Sequence, residues 1–447
     1  MEITIAGAGA GKTSSMSKKV IEIYQEIAPQ KRIYCIAFTN NAVNCIKSRL
    51  VDHFGSIPDN IAVSTIHSFL YQEIVRPYYY LLFEKHYKRI SVSTLPTEIR
   101  YKNATISRLE ANNVIHQTVI PERAKWVVVK KSDDNADRKA KRKVVLKSLQ
   151  EYIGAICIDE AQDIDNDITE IIKILETLSI RMVLMGDPKQ DSKGYGNLRL
   201  LAQQYVDGVS YLSQCFRCPC EHLNISNFIV PDSEKQCSNV KNGIVNLIFE
   251  SDEQCSNLIS SNDFDLMYIS QKNPGYETHS IGARDDALQS TYEELIPILQ
   301  NKKPDFDENK INRWAYYNAQ RLIEAYKRTG NKSSAITEIL GYGFLNKSEF
   351  GKVINSISDE TNEASQDSIR VSSIESIKGL EGDNCLFILT TDLAPYLLGV
   401  KQDENKVKNK LYVALTRSRK VLTIFVMKNV ENKYGKDQIQ KIITELK

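Results

Sequence analysis

No stretch of the chain stays apolar for the roughly 18–20 residues that a membrane-crossing helix needs, which argues against a membrane protein. Neither sign of charge dominates: Lys and Arg number 58 and Asp and Glu 56, a formal net charge of +2. That excludes a basic coat of the histone kind and leaves any nucleic-acid partner to local clusters of charge. With 42% hydrophobic and 26% charged residues, the composition is not that of a collagen, a mucin or a wholly disordered chain. A leader is also missing from view, because Met1 to Gly7 runs straight into a glycine-rich motif. No signal or transit peptide is therefore expected, and a cytoplasmic location is. Nine cysteines, an odd count without a secretion signal, read as reduced thiols.

What is present is an alternation. Glu2 to Ala6 reads as a strand, Gly7 to Gly11 as a loop, and Lys12 to about Ile27 as a helix. Ile33 to Phe38 is a second strand candidate and Asn41 to about Leu50 a helix. Ala155 to Ile158 and Arg181 to Met185 are buried-strand candidates that end in acidic or Gly-Asp turns. This is the pattern of a parallel sheet flanked by helices, whose ligands bind at the carboxyl ends of the strands. A second alternating region begins near Val209, with strands at Val209–Leu212, Leu266–Ser270, Ile369–Ser373, Cys385–Thr390 and Val421–Val426. A stretch from His67 to Leu149 interrupts the first region, and a helix-rich block from Asn273 to about Gln366 interrupts the second. Within the former, Arg123 to Lys147 carries ten Lys/Arg against three Asp. It reads either as a solvated, partly disordered loop or as a contact for a nucleic-acid backbone.

Ala6-Gly7-Ala8-Gly9-Ala10-Gly11-Lys12-Thr13 lies between the first strand and the first helix. Backbone N–H groups of such a loop cradle phosphate oxygens at a helix N-terminus, Lys12 reaches the β/γ-phosphates, and Thr13 ligates Mg²⁺. Asp159 and Glu160 end a later apolar strand. Asp159 suits the metal, and Glu160 suits alignment or deprotonation of the attacking water. These two motifs imply ATP hydrolysis assisted by Mg²⁺. A rival zinc site, Cys215, Cys218, Cys220 and His222, draws its ligands from one short segment rather than two, which favours reduced thiols.

Further strings resemble the superfamily 1 helicases of the UvrD/PcrA/Rep type. Asp-Glu-Ala-Gln-Asp at 159–163 is similar to that family's motif II, and Phe38-Thr39-Asn40 with Ala42 and Arg49 to motif Ia. Ser64 to Phe69 resembles the next DNA-contacting motif, Gly186 to Gln190 motif III, and Gln214 to Arg217 motif IV. Ser376 to Glu381 resembles motif V, and Leu411 to Arg419 motif VI. The strings follow the family order from residue 6 to residue 419. The resemblance implies an α/β protein of two tandem RecA-like P-loop NTPase domains, each with an inserted, mostly helical subdomain. Residues 1–66 and 145–205 would form the first domain, and 67–144 its basic insertion. Residues 206–272 and 367–447 would form the second, and 273–366 its short helical insertion.

The resemblance also assigns roles. Gln190 would bond the γ-phosphate or water, while Arg217 and Arg417 would reach across from the second domain to stabilise charge on the transferred phosphoryl. Glu381 would hold the ribose, and Phe216 would stack on the base where the family usually has Tyr. Phe38 and Tyr195 would stack on DNA bases, with Thr39, Asn40, Thr65, His67, Ser68 and Ser373 on phosphates. The implied partner is single-stranded or partly duplex DNA, travelled 3′→5′.

Four departures stand out. The upstream glutamine motif that reads adenine has no room before residue 6; motif V has Glu375 where His is usual and Gly382 where an aromatic is common; and both insertions are short. No tail is expected to hold a nuclease. Such compactness resembles helicase-like subunits of the Gabija antiphage kind that act beside a separate nuclease. A nucleic-acid-sensing ATPase subunit with a nuclease partner is therefore the alternative. A small-molecule P-loop kinase would have no use for motifs IV to VI.

Overall fold

In a computed structural model, residues 1–96, 98–252, 264–270, 276–279, 283–357 and 369–446 are described. The first sheet contains β1 (Glu2–Ala6), β2 (Arg32–Ala37) and β3 (Ile61–Thr65). A separate parallel pair follows, β4 (Arg89–Ser91) with β5 (Val114–His116). The first sheet is completed by β6 (Ile153–Ile158), β7 (Arg181–Gly186) and β8 (Val209–Leu212), in the order β3-β2-β6-β7-β1-β8. All its pairings are parallel. β6 is buried at every residue, Ile-Gly-Ala-Ile-Cys-Ile. Such continuous apolar strands are what a sheet covered on both faces requires.

The flanking helices supply the cover. Helix Lys12–Glu26 buries Met16, Val20 and Ile23, and helix Asn40–Phe54 buries Val43, Ile46 and Leu50. Those spacings put each trio on one helical face. They pack with Ile33, Cys35, Cys157 and Val183 of the strands. Each fully buried side chain of this size contributes about 1.5–3 kcal/mol.

β9 (Gln214–Cys215) and β10 (Cys237–Ser238) form a short parallel pair. The second sheet holds β11 (Ile244–Phe249), β12 (Leu266–Ile269), β13 (Tyr276–His279), β14 (Ile369–Ser373), β15 (Gly382–Leu389) and β16 (Ser418–Val426). Its order is β11-β16-β15-β12-β14-β13, again parallel throughout. Several strands differ from the sequence reading, among them β3 and β13, which it did not name. Val209–Leu212, expected to open the second region, pairs with β1 and closes the first sheet. Ile244–Phe249, which the sequence reading passed over, is the edge strand on β16. Strand propensity says that a segment is extended; the partner it finds is a tertiary matter.

The basic segment is ordered. Arg123 to Lys147 falls on helices Ile120–Val128 and Ala136–Tyr152 and the turn between them. Its Arg142 is buried, donating to the carbonyls of Val127 (3.0 Å) and Trp126 (2.9 Å) and pairing with buried Asp134. Arg142 is therefore a structural cation, while Lys139, Lys143 and Lys147 are exposed.

The chain divides into two compact units. One, Met1–Glu84 with Pro121–His279 and Ser368–Lys447, contains both six-stranded sheets. The other joins Lys85–Ile120 to Ser280–Asp367, so parts of the two stretches expected to be insertions fall in one body. Within it Val92 donates its N–H to Glu293 (3.0 Å) and Arg108 pairs with Glu294 (2.7 Å). Its helical core includes Leu295, Leu299, Ala315, Ala319, Leu322, Ile336 and Val353.

Candidate functional site

The glycine loop leaves β1 and enters helix Lys12–Glu26 at the carboxyl edge of the first sheet. Gly9 (φ 67°) and Gly11 (φ 75°) are left-handed, a conformation that a side chain would strain. The loop thereby aims backbone N–H groups at the space before the helix N-terminus, a ready anion site. Lys12 is buried and folds back over its own loop, Nζ donating to the Gly7 carbonyl at 3.3 Å.

β6 delivers Asp159 beside this loop. The Thr13 hydroxyl donates to Asp159 Oδ2 at 3.0 Å, and Asp159 Oδ1 accepts the Glu160 N–H at 3.0 Å. Glu160 itself is left-handed (φ 55°), which turns the chain sharply after the strand. Burial and the neighbouring Glu160 push the Asp159 carboxyl up to about 6. Burial also acts to raise Glu160, but Lys12, Gln162 and Lys378 outweigh it and hold that carboxyl below its ordinary range. The pair is thus asymmetric, with the water-activating candidate kept ionised. The donor set suits Mg²⁺: hard hydroxyl and carboxylate oxygens, in a pocket whose buried carboxyl is short of positive charge.

β7 lies between β6 and β1 and brings Asp187 to the same edge. A relay of hydrogen bonds follows. Gln162 Nε2 donates to Glu160 (2.5 Å), the Asp187 N–H donates to Gln162 Oε1 (2.9 Å), and Gln190 Nε2 donates to Asp187 Oδ2 (2.9 Å). Gln190 is thereby tied to Glu160 through two residues to which sequence reasoning gave no role. Buried Lys189 neutralises Asp187 (3.0 Å) and Glu234 (3.1 Å). It helps to hold Asp187 low against the opposing effect of burial.

The segment after β8 reaches the loop from the other side. The Phe216 N–H donates to the Gly9 carbonyl at 2.9 Å, and the Phe216 ring, 70% exposed, lies beside Gly11. Arg217 pairs with Glu381, which Arg419 also approaches at 3.5 Å. Arg417 is placed differently from Arg217. Only 1% exposed, it donates to the carbonyls of Val413 (2.9 Å) and Leu380 (3.1 Å) and to Thr416 Oγ1 (3.3 Å). These bonds brace the end of helix Lys406–Leu415. Lys378 pairs with Asp163 at 2.6 Å, and Glu375, the residue standing where His is usual, pairs with Lys410.

The DNA-track candidates form a looser set. Phe38 is half-buried at the end of β2, Thr39 and Asn40 are exposed after it, and Tyr195 is 39% exposed. Thr39 caps helix Asn40–Phe54 through the Ala42 N–H, Thr65 caps the Ser68 N–H, and Ser373 Oγ accepts the Ser376 N–H. These hydroxyls have local work, though each keeps hydrogen-bonding capacity. Burial and nearby Lys193 hold His67 below its ordinary range. Lys193 also lies over the Tyr195 ring, 5.6 Å from its centroid. A cavity of about 500 Å³ opens beside these residues, lined by Asp191, Lys193, Arg199, Lys406 and Asn409 among others.

The zinc reading finds no support in the geometry. Among the described residues no group of three or more His, Cys, Asp or Glu could hold a metal ion. His222 lies against the Ile244 (3.1 Å) and Ser418 (3.4 Å) carbonyls, and the Cys220 thiol donates to the Ser238 carbonyl (3.0 Å).

Residues 1–194 match an AAA domain family. A curated relative, Gabija protein GajB of Bacillus cereus (strain VD045), is 25% identical over 265 residues, 56% of this chain. The chain spans about half the length of that relative, 50% of which is matched. No helix among the described residues is long and apolar enough to cross a membrane. With the motif set that runs from residue 6 to residue 419, the AAA domain match and the Gabija similarity support the resemblance to UvrD-like, superfamily 1 helicase-like proteins.

Proposed function

We propose that this chain is an ATP-dependent single-stranded DNA translocase or helicase that moves 3′→5′, built on two RecA-like domains. One observation carries the reading: side chains from both six-stranded sheet regions converge on one phosphate loop. Lys12, Thr13, Asp159 and Glu160 come from the first sheet, while Arg217, Phe216 and Glu381 arrive from beyond it. Mg²⁺ held by Thr13 and Asp159 would supply charge neutralisation for the β- and γ-phosphates. Lys12 binds those phosphates and Glu160 takes the proton of the attacking water. Gln190 senses that proton through the Gln162–Asp187 relay. Arg217 must leave Glu381 to face the phosphoryl group, which ties hydrolysis to a rearrangement of the second half. Phe216 stacks on the base, and Tyr195 and Phe38 hold DNA bases.

A second reading rests on the Gabija similarity: a DNA-sensing ATPase subunit that switches a nuclease partner, in antiphage defence, without processive unwinding. Steady-state ATP hydrolysis with and without single-stranded DNA tests the first, against Lys12→Ala. DNA-stimulated turnover that vanishes in the variant, with strand displacement from a 3′ overhang, supports the motor. A failure to unwind together with stoichiometric capture of a nuclease supports the second.

A further inference from the structure

The third residue of the phosphate loop is held from outside the loop. Ala8 donates its N–H to the Tyr412 hydroxyl at 3.0 Å, and its carbonyl accepts from Gln236 Nε2 at 3.0 Å. Tyr412 in turn donates its O–H to Gln236 Oε1 at 2.9 Å, which closes a ring of three hydrogen bonds. All three residues are buried: Ala8 at 0%, Tyr412 at 2% and Gln236 at 6% exposure. The Ala8 methyl belongs to the apolar core around the second sheet, a cluster that includes Leu386, Leu411 and Tyr412. A Cβ on Gly7 would fall 2.2 Å from the Gln236 side chain, so the glycine there leaves room for that side chain.

Two consequences follow. First, the N–H of Ala8, one of the loop amides read above as cradling phosphate, is already committed to Tyr412. Phosphate contacts are left to the amides of Gly9 and of Gly11 to Thr13, since the Ala10 N–H donates to the Gly7 carbonyl at 3.3 Å. Second, the loop is hydrogen-bonded to the helix that precedes Arg417 (Lys406–Leu415) and to the segment that leads into β10. A displacement of that helix must break the ring or drag the loop.

We infer that Gln236 and Tyr412 are positioning residues for ATP hydrolysis: they clamp Ala8 to the second half of the molecule, so that the loop takes its working shape only when the two halves are closed. This rests on the ATPase reading and deepens it. Because neither side chain is needed for the amides of Gly9 and of Gly11 to Thr13, removing the clamp lowers turnover more than it weakens nucleotide binding.

The test is kcat and KM for ATP of the full chain at saturating single-stranded DNA, with thermal unfolding as a control, for Tyr412→Phe, Gln236→Leu and the double variant. Tyr412→Phe keeps the ring and removes its two hydrogen bonds. We expect kcat to fall about 10-fold with KM changed less than about twofold. The double variant should be no worse than the weaker single variant, because one network is broken in either case. Unchanged kcat overturns the proposal. So does a fall accompanied by a matching rise in KM or a lowered melting temperature, which would make the pair a structural prop. A wild-type chain that neither binds nor hydrolyses ATP overturns the ATPase reading itself, and the clamp with it. A wild-type chain that hydrolyses while Tyr412→Phe does so equally well overturns the clamp alone.

Discussion

At the residue scale, the two carboxylates that end β6 differ by environment rather than by chemistry. Asp159 is pushed up by burial and shares its oxygens with Thr13, while Glu160 is kept ionised by Lys12 and by its bond to Gln162. Glu160→Gln should therefore keep nucleotide binding and lose at least about 100-fold in turnover, as removal of a general base does; binding of a fluorescent ATP analogue alongside a hydrolysis assay reads both. Away from the site, Arg142 and Asp134 form a pair with side chains 5% and 0% exposed. Breaking it with Arg142→Met leaves a buried carboxylate and should cost about 3 kcal/mol in a denaturant melt. Burial opposes ionisation of Asp134, yet Arg142 and the Lys131 N–H hold its carboxyl below the ordinary value. Its folded pKa is thus depressed, so the stabilisation is complete above about pH 4 and lost as the pH falls through the folded value. Melts at stepped pH should show this acid-side loss in the native chain and its absence in Arg142→Met.

At the scale of elements, most strands were readable because each is a short apolar run bounded by turn residues. The glycine loop was legible for a related reason: a strand, a left-handed turn and a helix start must follow one another in the chain. Helix Lys406–Leu415 illustrates what propensity leaves open. Asn405 caps it by accepting from the Val407 (2.9 Å) and Lys408 (3.1 Å) N–H groups, yet nothing local says that Tyr412 on this helix meets Ala8. Asn405→Ala should cost about 1 kcal/mol of stability. Because the same helix carries the clamp, a turnover defect should accompany the lowered melting temperature. Arg417 shows the converse. Its motif was plain, but the sequence could not foresee that its donors would go to Val413, Leu380 and Thr416.

At the scale of the whole molecule, the near-neutral net charge leaves the proposed DNA affinity to local stripes such as the ordered helix Ala136–Tyr152. Its Arg142 points inward, so only the exposed lysines can release counterions. Replacing Lys139, Lys143 and Lys147 by Gln should lower the slope of log K against log salt for single-stranded DNA by about 2. An unchanged slope, measured by fluorescence anisotropy, would make this helix a bystander. The sequence alone determined the chemistry of the phosphate loop, the acidic turn after β6 and the order of the motifs, since these depend on residue type and near neighbours. Tertiary structure alone decided which sheet Val209–Leu212 joins and that parts of the two stretches expected to be insertions fall in one compact unit. It also decided that Gln236 meets the loop, 228 positions away from Ala8. Contacts of that separation are fixed by packing and by the need to satisfy buried polar groups, and neither leaves a periodic trace in the chain.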